Sequence, residues 1–586
     1  MKSGGAHIQD PNTLGRRAIE HAQAGRMAEA LALFETVARL VPDSAEAAAN
    51  CGSACLNLYR NAEARDWFAR AEKIDPRSTR AALGSGTACH MLGDLDAAVA
   101  AFDRALALKP DWTDAVMARA NACQAAGRMA EAEAGFLRTR ELDPADLRAA
   151  NNLGLLRADQ ARHVEALALL GEARAEQSWL FTLNYAPGVP AEMVADAYRA
   201  WGQRHAEPLR ALWPAHPPVR EPKQRLRVGL VSCDLRNHSM QHFLLPALAN
   251  LDPARIELFL YSATSKEDAV TRRYRALAAG FADIDGVDDA AVAARIAADR
   301  IDILIDASGH TGGNRLTLFA RKPAPVQVTW LAYGTTTGVS AIDWFLGDAR
   351  LVPPGGEKYF IEGVWRLPTT YCYAPPESAP EVAPHAATKA GAVTFGCFSR
   401  TIRLNDLTLA AWGEILRRLP ESRLKLDSLP FADAGMRADF AGRLVKFGAK
   451  PDQLVIGYTT PQARVWEAYG EVDIALDPFP HNAGATTFEA LWQGVPVLSK
   501  RDRIPVGRFG DSILGAAGLG DWVVDTVDQY VSMAVARADD PAALGRLRAG
   551  MRDRLRASEL TDAALFGQRL TQALHDMWSH PATGNP

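Results

Sequence analysis

Small and apolar side chains return at a fixed step through the first third of the chain. Pro42, Pro76, Pro110 and Pro144 recur every 34 residues, in frame with Phe34, Phe68, Phe102 and Phe136 and with Ala30, Ala64, Ala98 and Ala132. Gly25, Gly93 and Gly127 keep the same step with Tyr59 at the remaining place, and Gly52, Gly86 and Gly154 keep it with Ala120 between them. Small residues at fixed points let paired helices approach closely, the recurring Phe fills the space between pairs, and each Pro ends one helix and starts the next. The pattern predicts stacked helical hairpins across 11–178. A degenerate fifth unit, with Ala166 and Leu170 in phase but Ser178 where Pro is due, reads as an end cap.

A 34-residue helix–turn–helix period is the tetratricopeptide pattern. Such a solenoid offers a concave surface to an extended peptide, and its first helices carry Asn50, Asn57, His90, Asn121, Asn151 and Asn152, whose polar groups can bond a peptide backbone without reading its side chains or can be ordinary solvated residues. Residues 179–224, mixed in pattern and holding one helical stretch, read as a connector.

From 225 the period changes. RLRVGLVSCDL, IELFLYSA, ADIDGV, IDILIDASG and PVQVTWLAYG are short β-branched runs between helical segments, which predicts a parallel sheet covered on both faces. A second set follows a Pro/Ala-rich linker at 374–390: AVTFGCFS, SRLKLDSL, QLVIGY, VDIALDPF and VPVLSK. The predicted fold is an α-solenoid followed by two Rossmann-like α/β domains, 225–373 and 391–586, with terminal helices in the second and a cleft between the two. Ligands of such sheets bind at the carboxyl ends of the strands.

Composition narrows the function classes. The net charge of −4 and the lack of a long basic run give no support to a nucleic-acid or anionic-membrane surface. MKSGGAHIQD has no apolar signal core, and no uncharged apolar run reaches the ~18 residues of a membrane span, so a soluble cytoplasmic protein is expected. Seven scattered cysteines, at 51, 55, 89, 123, 233, 372 and 397, are odd in number and never spaced CxxC, as expected of buried free thiols. There is no GxGxxG, no GxxxxGK[ST] and no HExxH or other close metal-ligand cluster, so no metal or resident cofactor is expected.

The chemistry then lies in four strand-end motifs. DPFPHNAGATTFEALWQGVPVL carries Gly484, Thr486 and Thr487 into a helix whose N-terminal amides and hydroxyls suit a diphosphate, with Glu489 one turn on for a ribose; the same residues also serve as an ordinary capping turn. SRTIRLND sets Arg400 and Arg403 three apart past a strand end, suited to a leaving pyrophosphate or simply exposed on the surface. VSCDLRNHSMQHF places His238 and His242, and DASGHTGG places His310, where an imidazole could take a proton from an acceptor hydroxyl or serve the fold.

Together the repeats, FTLNYAP, VGLVSCDLRNHSMQHF, IDILIDASGHTGGNRLTLFARKPAPVQVTWLAYGTTTG and DPFPHNAGATTFEALWQGVPVL resemble the bacterial protein O-linked N-acetylglucosamine transferase/SPINDLY family. The resemblance implies an inverting, metal-independent GT-B glycosyltransferase that moves N-acetylglucosamine from UDP-GlcNAc to Ser or Thr of proteins delivered by the repeats. It implies that His238 is a base or acceptor-site group, that Gly484, Thr486 and Thr487 hold the diphosphate, and that Glu489 contacts the ribose. Arg403 stands where the family usually has a lysine contacting the diphosphate, and Arg400 where an amide residue is common. His481 replaces the usual Tyr, Ala485 replaces a Thr, and YGTTTG lacks the usual proline after Tyr. Two alternatives stay open: another nucleotide sugar, such as GDP-fucose or a flagellin-modifying sugar, or a non-catalytic tetratricopeptide adaptor.

Overall fold

The computed structural model describes residues 10–216, 223–264, 267–331, 334–384, 392–460 and 464–580. Tyr333 of the YGTTTG run, the end of the linker from 385, and 461–463 lie outside the described residues. The chain divides into two compact units: one ends at Leu156 and includes Glu172–Arg174, and the other holds Arg157–Gly171 and everything from Ala175 onwards.

The first unit is built of helix pairs: α1 (Pro11–Gln23) with α2 (Met27–Leu40), α3 (Ala45–Asn57) with α4 (Asn61–Ile74), α5 (Thr79–Leu92) with α6 (Leu95–Leu108), and α7 (Thr113–Ala125) with α8 (Met129–Leu142). Helices α9 (Leu147–Asp159) and α10 (His163–Glu172) make a fifth pair that straddles the division. The turn inside every pair passes through a left-handed residue: Gly25 (φ 76°), Tyr59 (56°), Gly93 (81°), Gly127 (75°) and Ala161 (57°). The fifth pair therefore keeps the frame after losing both its glycine and its proline.

The in-frame alanines Ala30, Ala64, Ala98, Ala132 and Ala166 have no exposed surface, and Phe68, Phe102 and Phe136 are buried. The phase of the glycines follows from those rings, since a Cβ on Gly52 would stand 2.9 Å from Phe68 and one on Gly86 2.5 Å from Phe102. Of the helix asparagines, Asn152 Nδ2 donates to Asn121 Oδ1 at 2.7 Å, while Asn57 Nδ2 turns back to the Ser53 carbonyl at 2.9 Å.

The second unit holds both predicted sheets. Strands β1 (Leu226–Ser232), β2 (Ile256–Ser262), β3 (Gly280–Asp283), β4 (Ile303–Asp306), β5 (Val326–Trp330), β6 (Trp344–Asp348) and β7 (Gly363–Leu367) form one sheet in the order 3-2-1-4-5-6-7. Strands β8 (Thr394–Cys397), β9 (Arg423–Asp427), β10 (Leu454–Gly457), β11 (Ile474–Leu476), β12 (Val497–Lys500) and β13 (Val523–Val524) form the other in the order 10-9-8-11-12-13. Pairing is parallel throughout, for example Val228 with Leu258 and Ile303, and Phe395 with Leu424 and Ile474. Both orders reverse direction at the first strand, so a crevice opens between the carboxyl ends of β1 and β4 and again between those of β8 and β11. All four motifs follow these four strands.

The connector supplies helices α11 (Glu176–Leu183) and α12 (Ala191–His205), whose Leu180, Leu183, Tyr198 and Trp201 pack on one face of the first sheet with Val231, Tyr261 and Leu304. The other face corrects the sequence-based boundary. The last helix, Ala563–Ser579, was expected in the second Rossmann-like domain, yet Phe566, Leu570, Leu574 and Met577 are buried with Leu244, Leu248 and Val326 of the first. Its apolar stripe follows helical spacing and carries no mark of which sheet it covers. The described cysteines are all free thiols, and all but Cys233 are buried.

Candidate functional site

The β11 turn is fixed from beneath. Asp477, at the strand's end, accepts from the Ala483 amide (2.7 Å) and the Ser499 hydroxyl (2.5 Å), and burial pushes its carboxyl up to about 7. Asn482 Nδ2 donates to the carbonyls of Pro478 (3.1 Å) and Lys500 (3.3 Å). The helix Ala485–Trp492 starts from Gly484 with no side-chain cap, and its first returning bonds come from the Thr487 and Phe488 amides to Gly484 O. The amides of Ala485 and Thr486 precede those bonds and are the donors an incoming anion meets.

The β8 turn meets it. Asn405 Nδ2 and the Thr408 hydroxyl both donate to Phe479 O at 2.7 Å, tying the arginine loop to the proline-rich turn. Thr401–Arg403 is a single tight helical turn with Thr401 and Ile402 buried, which leaves Arg400 and Arg403 to project. Arg403 Nε lies 3.5 Å from His481 Nδ1, and its guanidinium carbon lies 5.6 Å from the Tyr185 ring centre. His481 is buried and stacked on Tyr185 at 4.3 Å and 3°, and burial, reinforced by Arg403, holds it neutral.

These turns bound a cavity of about 830 Å³ lined by Arg400, Arg403, Gly484, Thr486 and Glu489 from the second sheet and by Asp234, Arg236 and His238 from the first. Glu489 Oε2 accepts the Tyr469 hydroxyl at 2.9 Å, and burial raises its carboxyl while that bond opposes the rise. His238 Nδ1 is 3.5 Å from Asp234 Oδ1 and 3.4 Å from the Met240 nitrogen. Burial lowers His238, with the Asp234 charge opposing, so its imidazole is neutral at pH 7. The Met240 amide donates to an unprotonated Nδ1, whereas Asp234 favours the tautomer with Nδ1–H; in that second tautomer Nε2 is the nitrogen able to accept a proton.

Three histidine and threonine expectations change. His310 is buried between Tyr198 and Trp201, with Nε2 2.7 Å from Thr337 O and Nδ1 2.8 Å from Gln177 Oε1; the neutral ring has one N–H to donate to these two oxygens. It does not line the cavity; it braces the 334–338 turn, where Thr336 and Thr337 also bond the buried Glu362. Thr487 is one helical step, about 100°, past Thr486. Its hydroxyl therefore points inward and donates to Ala483 O at 3.2 Å. His242 turns to the Ala374 carbonyl at 2.9 Å. Residues that sequence reasoning did not single out also line the cavity, among them Phe181, Tyr185, Asp234, Phe398, Asp427 and Tyr458. FTLNYAP was the one visible signal for Tyr185.

The family model described as glycosyl transferase family 41 matches residues 212–375 and 384–570, the two sheet-bearing segments with their helices. The chain belongs to glycosyl transferase family 41. Tetratricopeptide repeats match at 16–79 and 73–112. Among the family's relatives, the chain is 34% identical over 417 residues to a probable UDP-N-acetylglucosamine–peptide N-acetylglucosaminyltransferase SPINDLY of Petunia hybrida, covering 70% of this chain and 45% of that protein. The SPINDLY protein of Arabidopsis thaliana is 32% identical with the same two coverages. The chain thus spans about half the length of the curated relatives it matches. A mutant O-GlcNAc transferase of Thermobaculum terrenum is similar in structure, with a TM-score of 0.71 and 30% identity over 91% of this chain and 97% of that one.

Proposed function

We propose that this protein transfers N-acetylglucosamine from UDP-GlcNAc to Ser or Thr hydroxyls of proteins, with inversion and without a metal, and that the repeats recruit the acceptor. The observation that carries the reading is the meeting, in one cavity, of the arginine turn, an open helix N-terminus and Glu489 on one side with a neutral His238 on the other. The named activities of the SPINDLY relatives and of the bacterial transferase support the donor.

In this reading the diphosphate lies against Arg403 and the amides of Ala485 and Thr486, Arg400 stands at its edge, and Glu489 accepts from the ribose hydroxyls. The acceptor oxygen attacks the anomeric carbon from the side opposite the diphosphate. The new C–O bond forms as the bond to the phosphate oxygen breaks, and UDP leaves with the electron pair. His238 takes the hydroxyl proton on Nε2 in the tautomer whose Nδ1–H faces Asp234. The arginines and the helix N-terminus stabilise the charge that grows on the leaving oxygen, where fixed donors act most strongly. The contact of half-buried Arg403 with the Tyr185–His481 stack keeps that cation in place before the donor arrives, so little reorganisation is needed.

Calorimetry with UDP-GlcNAc, GDP-fucose and a CMP-sugar tests the donor, and intact-mass analysis of acceptor proteins incubated with it tests the transfer. No binding of UDP-GlcNAc would overturn the donor. Binding without any mass added to any acceptor would favour the adaptor alternative.

A further inference from the structure

Both arginines of the β8 turn lie against aromatic rings from the connector. Arg403 lies 5.6 Å from Tyr185, and the Arg400 guanidinium carbon lies 5.8 Å from the Phe181 ring. The rings are themselves 5.2 Å apart, and they pack with Ile402, at the centre of the arginine turn, and with Ala158 and Ala166 of the closing repeat pair. Two further contacts hold that turn: His163 Nε2–H donates to Ile402 O at 2.8 Å, and Asp159 Oδ1 lies 3.6 Å from Arg400. From the far side, Arg503 donates to the carbonyls of Asn184 and Ala186 at 2.9 Å and of Val189 at 3.0 Å, which fixes the backbone carrying Tyr185.

An arginine side chain has four rotatable bonds and loses much rotamer freedom when a ligand fixes it. Stacking on a ring removes part of that freedom beforehand, at an energy that falls within the range of cation–π contacts. We infer that Tyr185, with Phe181 beside it, is a positioning residue of the donor site: its ring holds Arg403 in the diphosphate-binding orientation, so the connector and the closing repeat pair are part of the nucleotide site. Residues 157–171 belong to the same compact unit as the sheets, as such a role requires.

The inference rests on the donor reading above, and the test separates the two. UDP, with GDP in parallel, is titrated into the full-length wild type and into Tyr185→Phe, Tyr185→Leu, Arg403→Ala and Tyr185→Leu/Arg403→Ala. Tyr185→Phe keeps the ring and is expected within about twofold of wild type. Tyr185→Leu keeps volume without a π face and is expected to weaken UDP by about tenfold. The double variant is expected to bind no more than about twofold worse than Arg403→Ala alone, because the ring acts through the arginine.

A second readout needs no nucleotide: the rate of phenylglyoxal modification of Arg403, followed by peptide mass spectrometry, is expected to rise severalfold in Tyr185→Leu and not in Tyr185→Phe. Wild type that binds neither UDP nor GDP sinks the donor reading while the modification rates still judge the ring. An unchanged modification rate in Tyr185→Leu, or fully additive losses in the double variant, overturns the role of Tyr185.

Discussion

The two sheets share a strand order but not a style of loop. At the carboxyl end of the second sheet, Asp477, Asn482 and Asn405 spend their side chains on backbone partners at 2.7–3.3 Å, and His481 is stacked and buried. At the end of β1 in the first sheet, His238 is held by two long contacts of 3.4–3.5 Å and its side chain is 38% exposed. An anion whose charge grows during reaction is stabilised best by donors that do not have to move, whereas a hydroxyl carried in by varied proteins needs a base with some play. On the proposed reading, the rigid wall serves the donor and the loose wall the acceptor.

The sharpest way to break that comparison is Arg403→Ala. It is expected to lose about a thousandfold in kcat/KM for transfer and to weaken UDP in calorimetry, with the helical circular dichroism of the repeats unchanged. His238→Ala is expected to lose about a hundredfold in kcat while UDP affinity stays within about twofold. Since burial lowers His238 below its ordinary value of about 6.5, the active neutral form persists at pH 7. Wild-type transfer therefore falls only on acidification below about pH 6.5, and the variant lacks that limb.

A smaller effect distinguishes the two loops of the first sheet from one another. His310→Ala removes a buried, hydrogen-bonded ring and is expected to cost about 2 kcal/mol in urea denaturation. Burial pushes His310 down to about 4 in the folded chain, against about 6.5 unfolded. Its stabilising contribution is therefore complete above pH 6.5 and is lost as pH falls from there toward 4. Smallest is Tyr59→Gly, which relieves a left-handed non-glycine turn at φ 56° and is expected to raise stability by about 1 kcal/mol in thermal melts.

What could be read from the chain depended on the range of the forces involved. The repeats were legible because one packing problem, a Phe with a small residue 16 positions earlier (Phe68 with Gly52, Phe102 with Gly86, and Ala18 and Ala120 in the same frame), recurs at each step. Gly484, Thr486, Arg403 and His238 were legible because a strand followed by a motif places them at a crevice. The role of His310 was not, because its partners Gln177 and Thr337 are 133 and 27 residues away. Thr486 and Thr487 look alike in sequence and differ by one helical step in direction. Tyr185 lay in a stretch without period or charge, and its contacts with Arg403 and His481 come from residues more than 200 positions away.

The last helix returns from the second Rossmann-like domain to pack on the first, with the Tyr373 amide bonded to Leu560 O at 2.7 Å beside the outgoing strand. The chain therefore passes between the two halves twice, once near 374–392 and once near 556–563. A body held by one tether swivels like a ball in a socket, but one held by two swings like a door, about the line joining the attachments. Any relative motion of the two halves is thereby restricted toward a single axis, which, on the proposed reading, would keep His238 in register with the arginine turn.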